Sequence, residues 1–123
     1  MLWLLVAAGG ALGAMARYGV SVYLPPEPGK FPMATFSANV LGSLLIGVFY
    51  VVIVQKGVLP IASRYLIMVG FLGAFTTFST FSLESIQLLQ GGYTGIALAY
   101  IVSSLVLSIV AVFFAVSVAS KIF

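Results

Sequence analysis

Residues 70–82 read GFLGAFTTFSTFS, an apolar stretch that contains two glycines and five hydroxyl side chains. Gly70 and Gly73 weaken a helix at the positions that they occupy. The hydroxyls that follow can bond backbone groups that an interrupted helix leaves without partners. We therefore predict that the helix holding this stretch is interrupted near residues 73–77. The alternative is a continuous helix in which each hydroxyl bonds back to its own turn.

The composition of the whole chain places this stretch in lipid. Of the 123 residues, 63% are hydrophobic and 6% are charged, whereas about 25% of a soluble domain is charged. The absence of cysteine and histidine excludes thiolate metal sites and imidazole proton transfer. The five cations are scattered, so nucleic acid is excluded as a partner. With only Glu27 and Glu84 as carboxylates, the chain has little machinery for an enzyme.

Long uncharged runs predict four transmembrane helices, because a spanning helix needs about 20 mostly apolar residues. The runs cover approximately residues 2–23, 34–54, 65–89 and 94–119 and form a single transmembrane domain. The first run lacks a basic leader and a clear cleavage site, so we interpret it as a retained helix rather than a signal peptide. The predicted fold class is an all-α integral membrane protein.

An even number of spans puts both termini on one side of the membrane. Lys56, Arg64 and Lys121 lie on that side, against Arg17 and Lys30 on the other. Since positive residues orient membrane helices, so small a bias leaves two alternatives. Either the chain inserts in both orientations and pairs as an antiparallel dimer, or it keeps one orientation. Four helices make a thin bundle, and dimerisation would supply the missing pore walls.

The first span carries a surface of small residues. Gly9 and Gly13 have the spacing that lets two membrane helices approach closely. Such a surface is used either for packing inside one subunit or at an interface between subunits, and the sequence leaves both open. The complete small-residue surface consists of Ala7, Ala8, Gly9, Gly10, Ala11, Gly13 and Ala14.

Phe78 and Phe81 lie three residues apart, so they share one helix face, and Phe75 extends the stripe. A phenyl ring has a positive edge. Ring edges interleaved with hydroxyls could line a narrow path for a small anion. A fixed cation in such a path would bind the anion too tightly for conduction. Lipid contact and core packing are the more frequent uses of an aromatic stripe.

Polar side chains also interrupt the other spans. Asn39 stands alone in the second span, where an unpaired amide is costly, so it either donates to an anion or ties helices together. The fourth span has polar side chains every four residues, at Tyr100, Ser104 and Ser108. They either form part of an anion path or make hydrogen bonds between helices. Arg17 either snorkels to the interface or marks the mouth of an aqueous vestibule.

Residues 70–82 closely resemble the signature of the Fluc (CrcB) family of fluoride channels. Residues 9–18, GGALGAMARY, resemble that family's first-helix pattern, and residues 35–47 resemble its second-helix pattern. The resemblance implies a dual-topology, antiparallel homodimer whose third helix is broken at mid-membrane. It further implies passive, selective fluoride export across the bacterial plasma (inner) membrane, which lowers fluoride toxicity.

The resemblance also implies roles for single residues. A structural sodium ion at the dimer interface is expected on the backbone carbonyls of Gly73 and Thr76 of each subunit. Arg17 matches an arginine near the vestibule. Ala74 stands where many family members have glycine. The residues expected along the fluoride pathway are Asn39, Phe78, Ser79, Thr80, Phe81, Tyr100, Ser104 and Ser108.

Two other functions compete with the fluoride channel. A small dual-topology multidrug transporter would need an intramembrane carboxylate for proton exchange, whereas the only charge in the first span is Arg17. A membrane assembly subunit without a transport role is the second rival. The dense run of hydroxyls and phenylalanines in residues 70–82 argues against that rival, because packing alone does not need it.

Overall fold

The computed structural model describes all 123 residues, and its secondary structure is helical throughout. Four segments are long and apolar enough to cross a membrane: Leu2–Tyr23, Met33–Gln55, Arg64–Gln90 and Thr94–Ile122. We call them the first to fourth spans. Their bounds lie within three residues of the runs that the sequence predicts. The chain is therefore a multi-pass membrane protein of the all-α class.

The third span contains two residues with extended backbone. The π-helical segment Arg64–Leu72 continues as the α-helical turn Gly73–Phe75, and a new α-helix covers Phe78–Gln90. Between them, Thr76 has φ −89° and ψ 157°, and Thr77 has φ −153° and ψ 122°. We call these two residues the extended link; they fall at the junction of the glycines with the hydroxyl run.

The first span packs directly on the backbone of the third. A Cβ atom on Gly9 would overlap the carbonyl oxygen of Leu66, and one on Gly13 would overlap the carbonyl oxygen of Phe71. Both glycines are buried within the single subunit. These two glycines therefore use their small-residue spacing for packing inside the subunit, the first of the two alternatives.

Replacing Gly13 with alanine should destabilise the chain, because the backbone that blocks the new methyl group cannot rotate away as a side chain can. Overpacking of this kind costs about 1–3 kcal/mol. The matched control is Gly19→Ala, since nothing lies within 4 Å of a Cβ at Gly19. Alanine is the better helix former, so that control should melt at or above the wild-type temperature. Equal melting temperatures for the two variants in detergent would contradict the close approach.

The connection 24–32 is held against the turn that precedes the fourth span. Gly29 has a φ of 76°, in the left-handed region where glycine is favoured. The ring of Tyr93 occupies the place where a Cβ on Gly29 would lie. This contact joins the two connections on the side of the molecule away from the termini.

Candidate functional site

A groove of about 320 Å³ runs beside the extended link. The second, third and fourth spans all contribute to its walls. It brings together five of the residues predicted for an anion pathway and both residues predicted for a cation site: Asn39, Phe78, Phe81, Ser104 and Ser108, with Gly73 and Thr76. Phe78 is 72% exposed in the single subunit, so the groove lies at its surface.

Asn39 forms two hydrogen bonds with one residue of the extended link. Its Oδ1 accepts from the N–H of Thr77 at 2.8 Å, and its Nδ2 donates to the carbonyl oxygen of Thr77 at 3.0 Å. The two peptide groups fix which end of the amide is oxygen, because one is a donor and the other an acceptor. One N–H of Nδ2 is left for the groove. Asn39 thus ties the second span to the link and also lines the groove.

The extended link leaves several backbone carbonyls without helical partners. The N–H of Thr77, which would bond the carbonyl oxygen of Gly73 in a continuous helix, bonds Oδ1 of Asn39 instead. The carbonyl oxygen of Thr76 accepts no hydrogen bond within the chain. Gly73 and Thr76 both line the groove. The carbonyl oxygen of Ala74 instead accepts a bond of 3.0 Å from Nε of Arg17. Free carbonyl oxygens beside a groove are the ligands that broken membrane helices offer to cations.

The hydroxyl of Ser104 is the unsatisfied polar group of the interior. The residue is 5% exposed, its Oγ has no hydrogen-bond partner, and it lines the groove. A buried hydroxyl is nearly always bonded in a native protein, so an orphaned one calls for an explanation. Ser104 and the free N–H of Asn39 place two neutral donors at the same groove.

The two phenylalanines of the stripe have different surroundings. Their ring centroids lie 5.5 Å apart with an interplanar angle of 50°. Phe81 is 6% exposed and packs 5.1 Å from the ring of Tyr100, in the hydrophobic core. Phe78 is largely exposed on the groove side. One ring therefore belongs to the core and the groove wall together, whereas the other belongs to the wall alone.

A known protein family matches most of the chain. The family described as CrcB-like protein, Camphor Resistance (CrcB), matches residues 4–116. The chain belongs to the CrcB-like family.

Curated members of the family resemble the chain over nearly its whole length. A protein of Saccharophagus degradans named fluoride-specific ion channel FluC is 58% identical over 122 residues, which cover 99% of this chain and 92% of the relative. Proteins of the same name are 45% identical in Magnetococcus marinus, over 88% of this chain and 89% of the relative, and 46% identical in Acidobacterium capsulatum, over 99% and 98%.

Three residues expected along the pathway lie outside the groove. Tyr100 is fully buried behind Phe81, and its hydroxyl donates to Oε1 of Glu84 at 2.9 Å. Thr80 lines a second cavity of about 350 Å³. Ser79 is exposed, and its Oγ lies 3.3 Å from Oγ1 of Thr77.

The second cavity also contains the arginine predicted for a vestibule. Arg17 lines it together with Thr80 and Glu84. A guanidinium has five N–H donors, and Arg17 uses Nε on the carbonyl of Ala74. The terminal nitrogens remain for the cavity. Arg17 therefore reaches both the second cavity and the backbone next to the extended link.

Sequence reasoning missed three groove residues of the second span: Gly42, Ser43 and Ile46. Ser43 lies four positions after Asn39, hence on the same helix face. That spacing was a usable signal. Gly42 also lines the groove, and a Cβ there would overlap the methyl group of Thr76. Gly42 belongs to the second-helix pattern of residues 35–47, but no groove role was predicted for it, because its small size matters only once the extended link lies against it.

Proposed function

We propose that this chain forms a fluoride-selective channel that lets fluoride leave the cytoplasm passively and so lowers its toxicity. The curated relatives are named fluoride-specific channels, and the match covers nearly the whole of each chain. The single observation that carries the proposal is the buried, unpartnered hydroxyl of Ser104 in a groove walled by phenylalanine rings. In this proposal the chain conducts an ion and is not an enzyme.

Fluoride is strongly hydrated, so a narrow path must replace its water with hydrogen-bond donors. The groove offers the Ser104 and Ser108 hydroxyls, one N–H of Asn39, and the ring edges of Phe78 and Phe81. All of these are neutral. Neutral donors stabilise the anion without holding it, which conduction requires. Ser79, Thr80 and Tyr100 are kept in the proposed pathway beyond the groove, with Arg17 at the vestibule.

A structural sodium ion is the second part of the proposal, held where the third helix is broken at mid-membrane. The carbonyl oxygens of Gly73 and Thr76 fit a hard cation, because both residues line the groove and neither carbonyl has its helical partner. A bound sodium would supply fixed positive charge outside the fluoride path. One subunit offers two such oxygens, so a second copy would complete the ligand set.

The proposed assembly is an antiparallel, dual-topology homodimer in the bacterial plasma (inner) membrane. Lipid cannot bond the polar groups of a groove at the subunit surface, and a second copy would cover it. The nearly balanced cations on the two sides of the membrane agree with insertion in both orientations.

Anion efflux from liposomes that hold the purified chain tests the function. Fluoride and chloride electrodes are read in parallel while an ionophore shunts potassium. We expect rapid fluoride efflux without chloride efflux. If the dimer is intact and neither anion moves, the homomeric channel is wrong. Equal efflux of both anions would contradict the proposed selectivity for fluoride. Drug export driven by a proton gradient, with no fluoride flux, would favour the transporter alternative.

Ser104→Ala should slow fluoride efflux at least about tenfold, because a hydrogen bond to a charged group contributes about 1.5–3 kcal/mol. Its melting temperature should not fall, since the hydroxyl has no protein partner to lose. The neighbouring Ser103 is the matched control, because its Oγ donates to the carbonyl of Ala99 in its own helix. Wild-type flux in Ser104→Ala, or an equal loss in Ser103→Ala, would remove Ser104 from the path.

A further inference from the structure

Arg17 bonds to a carbonyl of the third span that loses its helical partner at the extended link. In an uninterrupted helix the carbonyl oxygen of Ala74 would accept from the N–H of Phe78. The extended backbone of Thr76 and Thr77 prevents that bond, and Nε of Arg17 takes the place of the missing donor at 3.0 Å. This bond joins the first span to the third across 57 positions in the sequence.

The anchored carbonyl lies beside the carbonyls that remain free. Ala74 follows Gly73 directly, and consecutive Cα atoms are about 3.8 Å apart. Thr77 is fixed by Asn39, so the backbone is held on both sides of Phe75 and Thr76. Thr76 is further restrained by the bond of 2.9 Å from its Oγ1 to the carbonyl of Leu72. The free carbonyls of Gly73 and Thr76 are thus oriented by their neighbours' bonds.

We propose that Arg17 is a positioning residue for the cation site. By bonding Ala74, it leaves the carbonyls of Gly73 and Thr76 free and directs them together to one ion. This role differs from drawing anions into a vestibule, and it rests on the sodium site of the proposed function. Arg17 does not itself touch the ion.

Positioning by Arg17 would strengthen sodium binding, whereas its positive charge would weaken it. These opposite effects make the role testable. A positive charge close to sodium weakens its binding. Arg17 lines a cavity that Glu84 also lines, and the carboxylate offsets part of that charge. If Arg17 acted only through its charge, removing it would leave sodium binding unchanged or tighten it. If Arg17 positions the backbone, removing it weakens sodium binding.

The test is the sodium dependence of the melting temperature of the purified full chain in detergent. Sodium chloride replaces N-methylglucamine chloride at constant ionic strength, without fluoride. A ligand that binds only the folded state raises the melting temperature as its concentration increases. The sodium concentration that gives half of this rise, the sodium half-point, is compared between variants. Arg17→Met removes the donor and the charge. The control, Lys56→Met, removes a charge from an exposed residue distant from Arg17 in the sequence.

We expect the sodium half-point of Arg17→Met to rise about tenfold, in line with the loss of a charge-assisted hydrogen bond, and that of Lys56→Met to stay at the wild-type value. Arg17→Lys, which keeps the charge and offers an ammonium donor in place of the guanidinium, should give a smaller rise and serves if the methionine variant does not fold. An unchanged or lower half-point in the Arg17 variants overturns the positioning role. A wild-type chain without sodium dependence removes the cation site too, while fluoride efflux tests the channel separately.

Discussion

Liposomes that hold the Phe78→Ile variant should release fluoride at least about tenfold more slowly than liposomes that hold the wild-type chain, because about 1.4 kcal/mol of stabilisation lost in the path changes the rate by that factor. Isoleucine keeps the apolar bulk but has no ring edge to face the anion. Phe78 is 72% exposed in the subunit, so its replacement should leave the subunit fold unchanged. Fluoride efflux and size-exclusion chromatography of the same sample measure both properties.

The control for Phe78 is Phe113→Ile. Phe113 is 74% exposed in the fourth span and does not line the groove. The Phe113→Ile variant should conduct fluoride at the wild-type rate. If Phe78→Ile also conducts at the wild-type rate and elutes like the wild type in size-exclusion chromatography, the ring has no part in the mechanism. Phe81→Ile should lose flux and melting temperature together, because that ring is 6% exposed and packs on Tyr100.

Asn39→Leu should lower the stability of the chain. The leucine has the same branched shape and number of side-chain heavy atoms but leaves the N–H and the carbonyl oxygen of Thr77 without partners. A buried polar group left unsatisfied costs about 1–3 kcal/mol, and these two groups are part-buried, so the expected destabilisation of the pair is about 1–3 kcal/mol. Thermal unfolding in detergent measures it, and fluoride efflux should fall with the folded fraction.

Two variants separate the bonds of Asn39 from its place in the groove. Asn39→Asp keeps the acceptor for the N–H of Thr77 but turns a carboxylate oxygen towards the carbonyl of Thr77, so it should also be destabilised. Ser43→Ala changes a groove residue of the same helix face and should melt at the wild-type temperature. A wild-type melting temperature for Asn39→Leu would show that the link does not depend on the amide.

The sequence predicted the four spans well, because hydrophobic length alone sets them, and this part of the fold is confirmed. The direction of side chains after residue 77 was harder to predict. Two extended residues reset the helical phase, so the positions from Phe78 onward do not continue the face of residues 64–75. Ser79 and Thr80 consequently lie outside the groove, although they belong to the same hydroxyl run.

The polar stripe of the fourth span was predicted only in part. A spacing of four residues advances a helix by about 40° beyond a full turn. Tyr100 and Ser108 therefore do not share one direction, and only Ser104 and Ser108 reach the groove. The partners of Arg17 and Asn39 were not predictable, since each bond spans 38 or more positions and depends on how the helices pack. Sequence reasoning left both of the alternatives for Asn39 open, and its two bonds to Thr77 tie the helices together.

The position of Phe81 in both the core and the groove wall has a consequence for how the protein can change. Most replacements there would lower stability before any new anion preference could be selected. Phe78 and Ser108 contribute less to the stability of the fold, because they are more exposed. Laboratory evolution towards a different halide should therefore accumulate substitutions at Phe78 and Ser108, and accept them at Phe81 only after stabilising changes elsewhere.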